Sequence, residues 1–79
     1  MDKRKEFMKE LGALCRRCRE RLGKTQQEIA DAVGMTAQNV CRFESGERDS
    51  LFIFSVYGMR FSGQEWRELN GIYNRYFAE

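Results

Sequence analysis

Between Thr25 and Gly46 the chain reads TQQEIADAVGMTAQNVCRFESG, and no other stretch limits its fold as tightly. Thr25-Gln-Gln-Glu28 is a capping box, in which the threonine hydroxyl caps the helix start and the glutamate reaches back. Ile29, Ala30 and Val33 then fall on one helical face, and Gly34 ends the helix. Thr36 can cap a second helix running to about Glu44, which Ser45-Gly46 ends. Two helices this short, joined through Gly34 and Met35, make a tight helical corner. Ala30 is small where the second helix must approach, and Gly34 supplies the backbone freedom at the bend.

The flanking segments are also helical in pattern. From about Glu6 to Leu22 the apolar positions Phe7, Leu11, Leu14, Cys15, Cys18 and Leu22 share one face, and Gly23 stops the run. After the corner, Glu47-Arg48-Asp49 is a charged loop and Ser50 can cap a fourth helix, expected over about 50–61. Its sequence, LFIFSVYGMRF, is apolar on almost every side and also suits a buried strand. Length and helical neighbours favour the helix. Ser62-Gly-Gln-Glu65 is a second capping box, opening a fifth helix expected over about 63–78 with Trp66, Leu69, Ile72, Tyr73, Tyr76 and Phe77 at helical spacing. No proline interrupts any of them. One all-α domain over 1–79, with the corner at about 25–46, is the expected organisation.

With 42% hydrophobic and 33% charged residues, the composition fits a globular domain and argues against disorder. No apolar run approaches the roughly 20 residues of a membrane span. The basic start, MDKRKEFMKE, has no apolar stretch behind it, so a cytoplasmic protein is expected. Cys15-Arg-Arg-Cys18 has the spacing of a metal or redox pair. With neither a second such pair nor any histidine to complete four ligands, Cys15 and Cys18 read as small core residues, and Cys41 as a third reduced thiol. With no histidine, paired acidic cluster or Gly-rich phosphate loop, an enzyme is not expected, nor is a cofactor or metal. The net charge is +2, but residues 1–24 carry +5 and the remainder −3, a distribution that suits a polyanionic partner.

At 100° per residue, Val40, Phe43 and Glu44 gather on one side of the second corner helix, and Gln38, Cys41, Arg42 and Ser45 on the other. Gln and Arg hydrogen-bond base edges in pairs, glutamine to adenine and arginine to guanine. The polar face therefore suits a major groove about 12 Å wide. A plain helical hairpin with its polar side in water fits the same pattern.

The residues Arg19, Gly23, Thr25-Gln26-x-Glu28-Ile29-Ala30, Val33-Gly34, Thr36, Val40 and Phe43-Glu44-x-Gly46 resemble the phage-repressor and Cro-type (Xre-like) helix-turn-helix domains. The resemblance covers about Leu11 to Phe61. It implies a five-helix, lambda-repressor-like domain that binds double-stranded operator DNA as a homodimer and represses transcription, in a bacterial nucleoid setting. By this resemblance Gln26 meets a phosphate, and Thr36, Ala37, Gln38 and Arg42 read bases, with Asn39 at the edge of that face. Ser45, Gly46 and Arg48 match a second backbone contact, and Arg19 and Glu44 a buried salt bridge between the first and third helices. The chain departs from the family pattern at three points. Ala37 replaces a long polar reader, Cys41 a small hydroxyl, and the loop before the fourth helix lacks its usual proline.

The last two helices hold more large apolar side chains than so small a domain easily covers. Leu51, Phe54 and Leu69 are expected in the core, and Trp66, Tyr73, Tyr76 and Phe77 at a dimer interface. An aromatic-rich monomer core fits the same residues. So does an antitoxin-like interaction module that meets another protein through this surface.

Overall fold

A computed structural model describes residues 2–78; Met1 and Glu79, the two ends of the expected 1–79 domain, lie outside the described residues. Five helices follow in order: α1 Lys3–Arg21, α2 Gln26–Ala32, α3 Ala37–Glu44, α4 Leu51–Gly58 and α5 Gly63–Phe77. There is no strand among the described residues. α1 runs through the middle, packing against α3 and α4 on one side and α5 on the other, while α2 packs on α3 and α4.

Every helix start has a side-chain cap. Both capping boxes are complete: Glu28 N donates to Thr25 Oγ1 at 3.1 Å and Thr25 N to Glu28 Oε1 at 2.9 Å. The equivalent bonds join Glu65 N to Ser62 Oγ at 3.1 Å and Ser62 N to Glu65 Oε1 at 2.8 Å. α1 begins at Lys3, earlier than the apolar spacing indicates, because Asp2 caps it by accepting from Lys5 N at 3.2 Å. α4 stops at Gly58, short of the expected Phe61. There Arg60 N donates to Tyr57 O at 2.9 Å, and Phe61 swings off the helix to meet Phe54 and Trp66 edge-on.

The core centres on Leu14, Cys15 and Cys18 of α1, with Ile29 and Ala30 of α2, Val40 and Phe43 of α3, and Ile53 and Tyr57 of α4, all buried. Burial pushes the Cys15 thiol above its ordinary titration range, so this thiol is chemically quiet. The rings of Phe43 and Tyr57 stack with centroids 5.9 Å apart.

Leu51 corrects one sequence expectation: it is 79% exposed rather than in the core. The buried face of α4 is Ile53, Val56 and Tyr57, at the i, i+3, i+4 spacing of one stripe. Leu51 lies about 160° round the helix from Ile53, so it faces outward. Phe54 and Leu69, the other two expected core residues, are partly buried and pack against the core edge.

Two glycines set how α1 meets α3. A Cβ on Gly12 would stand 2.4 Å from Glu44 O and 2.6 Å from Phe43 O, so only glycine lets the α1 backbone rest on the end of α3. Gly46 adopts φ +83°, and a Cβ there would lie 2.7 Å from Lys9 Cα. The turn after α3 is thus pressed onto α1 one helical turn before Gly12. No helix among the described residues is long and apolar enough to cross a membrane.

Candidate nucleic-acid interface

The third helix is divided lengthwise. Thr36 caps it, accepting from Asn39 N at 3.3 Å, and the hydrophobic spacing buries Val40, Phe43 and Glu44. Gln38, Cys41, Arg42 and Ser45 are exposed on the opposite side, with Thr36 at the start; Ala37 and Asn39 are half-buried at the edges. A helix that buries one face in a core and shows amide and guanidinium groups on the other can present hydrogen-bonding ends to a groove.

What holds that helix in place is the Glu44 carboxylate. Arg19 grips it with both arms of the guanidinium, Nε to Oε2 at 2.8 Å and Nη2 to Oε1 at 3.0 Å, while its third nitrogen donates to Lys24 O at 3.1 Å. Gln26 Nε2 donates to Glu44 Oε1 at 3.1 Å, and the Tyr57 hydroxyl donates to Oε2. Four donors from α1, α2 and α4 therefore converge on one residue of α3. Burial pushes the Glu44 carboxyl up, but the hydrogen bonds from Arg19, Tyr57 and Gln26 outweigh it and hold the group below the usual carboxylate range. Burial, and then the bond to ionised Glu44, push the Tyr57 hydroxyl well above its ordinary value.

Beside this network lies an open groove of about 590 Å³, lined by Arg16, Arg19, Lys24, Thr25, Gln26, Cys41, Glu44 and Ser45. Three cationic side chains against one carboxylate leave it positive. Gln26 sits on its wall, and the bond to Glu44 uses one of its two amide hydrogens, leaving the other to donate.

The loop after α3 folds back over the end of that helix. Glu47 N and Arg48 N donate to Arg42 O at 2.9 and 3.2 Å, and Ser45 Oγ donates to the same oxygen at 3.0 Å. These bonds shape the proline-free loop. Gly46 N donates to Phe43 O at 3.1 Å, so its N–H is already engaged within the turn. Arg48 lies back along the helix, with Nη1 3.4 Å from Asn39 Oδ1.

On α5, Trp66, Tyr73 and Phe77 are between 40 and 51% exposed, each in edge or tilted contact with other rings. The Tyr76 hydroxyl donates to Glu10 on α1. The most open apolar side chains lie instead on and just after α4: Leu51, Phe52 and Met59, at 79, 72 and 85% exposure.

Sequence reasoning missed several residues that position the site. Tyr57 and Gln26 as partners of Glu44 carry no local signal, since both contacts span distant parts of the chain. Arg21, which holds Glu65 through Nη2 at 2.7 Å and Nε at 3.0 Å and so ties α1 to the start of α5, reads in sequence as a solvated charge. Gly12 did leave a readable mark. A glycine inside a helix costs about 0.5–1 kcal/mol relative to alanine, so its presence points to a close approach.

A family model of the helix-turn-helix domain matches residues 10–52, which contain most of α1, all of α2 and α3, and the loop with the first residues of α4. No curated protein and no solved structure matches the chain. The match covers more than half of the sequence and is centred on the corner whose outer face stands open. The chain belongs to the helix-turn-helix domain family, a kind of domain suited to binding DNA.

Proposed function

We propose that this protein is a sequence-specific, double-stranded DNA-binding transcriptional regulator, of the phage-repressor or Cro-type (Xre-like) kind, acting as a repressor by occupying its operator. The observation that carries the reading is the division of α3: Val40, Phe43 and Glu44 are buried and pinned while Gln38 and Arg42 project from the opposite face. Gln38 would read adenine and Arg42 guanine in the major groove. Thr36 and Ala37 would meet the bases at the helix start, Ala37 through contact with a thymine methyl. Phosphates would lie along the positive groove by Gln26 and against the turn from Ser45 to Arg48. Binding rather than catalysis is its role, in the bacterial cytoplasm at the nucleoid.

A homodimer on a pseudo-palindromic site, with half-sites one turn or about 34 Å apart, would double the surface used by one module. The unpaired apolar side chains Leu51, Phe52 and Met59, with the half-exposed aromatics of α5, support such an association. The same surface favours a second reading, an antitoxin-like module that binds another protein. Selection of duplexes from a random pool, repeated at several salt concentrations, separates the two. A regulator enriches one sequence and loses affinity steeply with salt. A chain that ignores DNA but retains a protein partner overturns the regulator reading.

A further inference from the structure

Arg48 stands in the loop after α3, yet its side chain does not extend away from the protein. It lies half-buried along the helix, with Nε buried and without a hydrogen-bond partner among the described residues, and Nη1 3.4 Å from Asn39 Oδ1. The backbone directs it there: Arg48 N is fastened to Arg42 O at 3.2 Å, which starts the side chain beside the last turn of α3. Asn39, in the first turn, is half-buried at the edge of the open face.

The chemistry of the pair is one-directional. A guanidinium has only donors, so the end of the Asn39 amide that faces it must be the oxygen. The NH2 end is then turned away from Arg48. An asparagine free to rotate pairs with adenine through both ends, accepting from N6 and donating to N7. One whose oxygen is turned toward an arginine keeps a second lone pair there, but its amide is no longer free to lie across both adenine atoms. The NH2 end that remains carries two donors, which suit the acceptor edges of guanine (N7, O6) or thymine (O4).

We infer that Arg48 is a positioning residue for base selection: by holding Asn39 Oδ1 it fixes the amide with its NH2 end turned away from Arg48, so that Asn39 reads chiefly as a donor and favours guanine or thymine over adenine. This rests on the DNA-binding reading above. It assigns Arg48 a function that a phosphate contact alone would not have, because a phosphate anchor lowers affinity for all sequences alike.

The test is the full base-preference profile of the protein and of Arg48→Met, Arg48→Leu, Arg48→Lys, Asn39→Ala and the double variants, each on duplexes carrying every substitution across the selected site. Asn39→Ala identifies the base pair that Asn39 reads. At that pair Arg48→Met moves the preference toward adenine, by about fivefold or more in relative affinity, the lower end of the range for one paired contact. Arg48→Lys retains a donor-only cation beside Asn39 Oδ1 and so keeps more of the original preference than Arg48→Met; Arg48→Leu removes the donors as Arg48→Met does and carries the test if Arg48→Met fails to fold. In the Asn39→Ala background no Arg48 change alters selectivity. If the Arg48 variants weaken all duplexes uniformly, or if the shift persists without Asn39, the assignment is wrong while the regulator reading stands. If the unaltered protein prefers no sequence at all, both fall together.

Discussion

Replacing Glu44 by glutamine tests whether one carboxylate holds the open helix to the rest of the protein. The substitution keeps the shape but removes the charge and turns one accepting oxygen into a donor. Arg19 would then be left with its guanidinium 14% exposed and no counter-charge at the 4% exposed position it now grips. Two of the four inward donors would face an NH2 group and lose their acceptor. Removing one partner of a pair this buried costs about 3–5 kcal/mol. A chain of 79 residues has a total stability of about 4–12 kcal/mol at roughly 0.05–0.15 kcal/mol per residue. The change is thus a quarter of the whole or more. With a urea slope of about 1–2 kcal/mol per molar, the midpoint of unfolding should drop by at least about 1.5 M. Asp49→Asn is the control: it breaks the Arg4–Asp49 pair, whose side chains are 75% and 60% exposed, and should cost no more than about 1 kcal/mol. The triple change Arg19→Met, Glu44→Leu and Tyr57→Phe should recover part of the loss, since well-packed apolar groups often replace a buried ion pair at little cost and the phenylalanine leaves no buried hydroxyl without an acceptor. A Glu44→Gln protein as stable as its parent would show that the Glu44 carboxylate does not hold α3 in place.

Gly12→Ala should destabilise by about 1–3 kcal/mol by forcing α1 off the end of α3, whereas Gly71→Ala, with nothing within 4 Å, should stabilise by about 0.5–1 kcal/mol; thermal melts compare them directly. The Arg21 hydrogen bonds draw the Glu65 carboxyl from its ordinary 4.5 to about 2, and Glu44 is shifted the same way, so both hold fewer protons folded than unfolded. The stability they contribute is therefore present above pH 4.5 and lost as pH falls toward about 2, and Glu65→Gln should flatten that slope in acid titrations of unfolding. If the proposed homodimer forms through the exposed apolar side chains of α4, the protein sediments as two chains and Phe52→Glu should lower that mass to one chain without altering the helical circular dichroism; a mass of two chains in both would place the interface elsewhere.

The parts of the fold legible in sequence are those with local physical causes. Thr25 with Glu28 and Ser62 with Glu65 mark helix starts because both halves of each box lie within four residues. The polar face of α3 follows from its spacing alone. The orientation of α4 does not. LFIFSVYGMRF is apolar all round, so periodicity cannot say which side turns inward; packing against α1 and α2 decides for Ile53, Val56 and Tyr57 and leaves Leu51 outside. Within the Glu44 network only the Arg19–Glu44 bridge was foreseen, through the family resemblance; the Gln26 and Tyr57 bonds to Glu44 and the Arg48–Asn39 contact are invisible, because a side chain that reaches across the fold looks in sequence like one that reaches into water.

In the proposed function Arg42 and its neighbours read bases, while the buried side of α3 only holds the helix in place. Affinity of Arg42→Ala, measured base by base on the duplex selected by the unaltered protein, tests that claim most directly. A loss of about 1–3 kcal/mol is expected, with selectivity relaxed at one base pair and retained at the others. An equal loss on every sequence, with the selectivity profile intact, would contradict that role for Arg42.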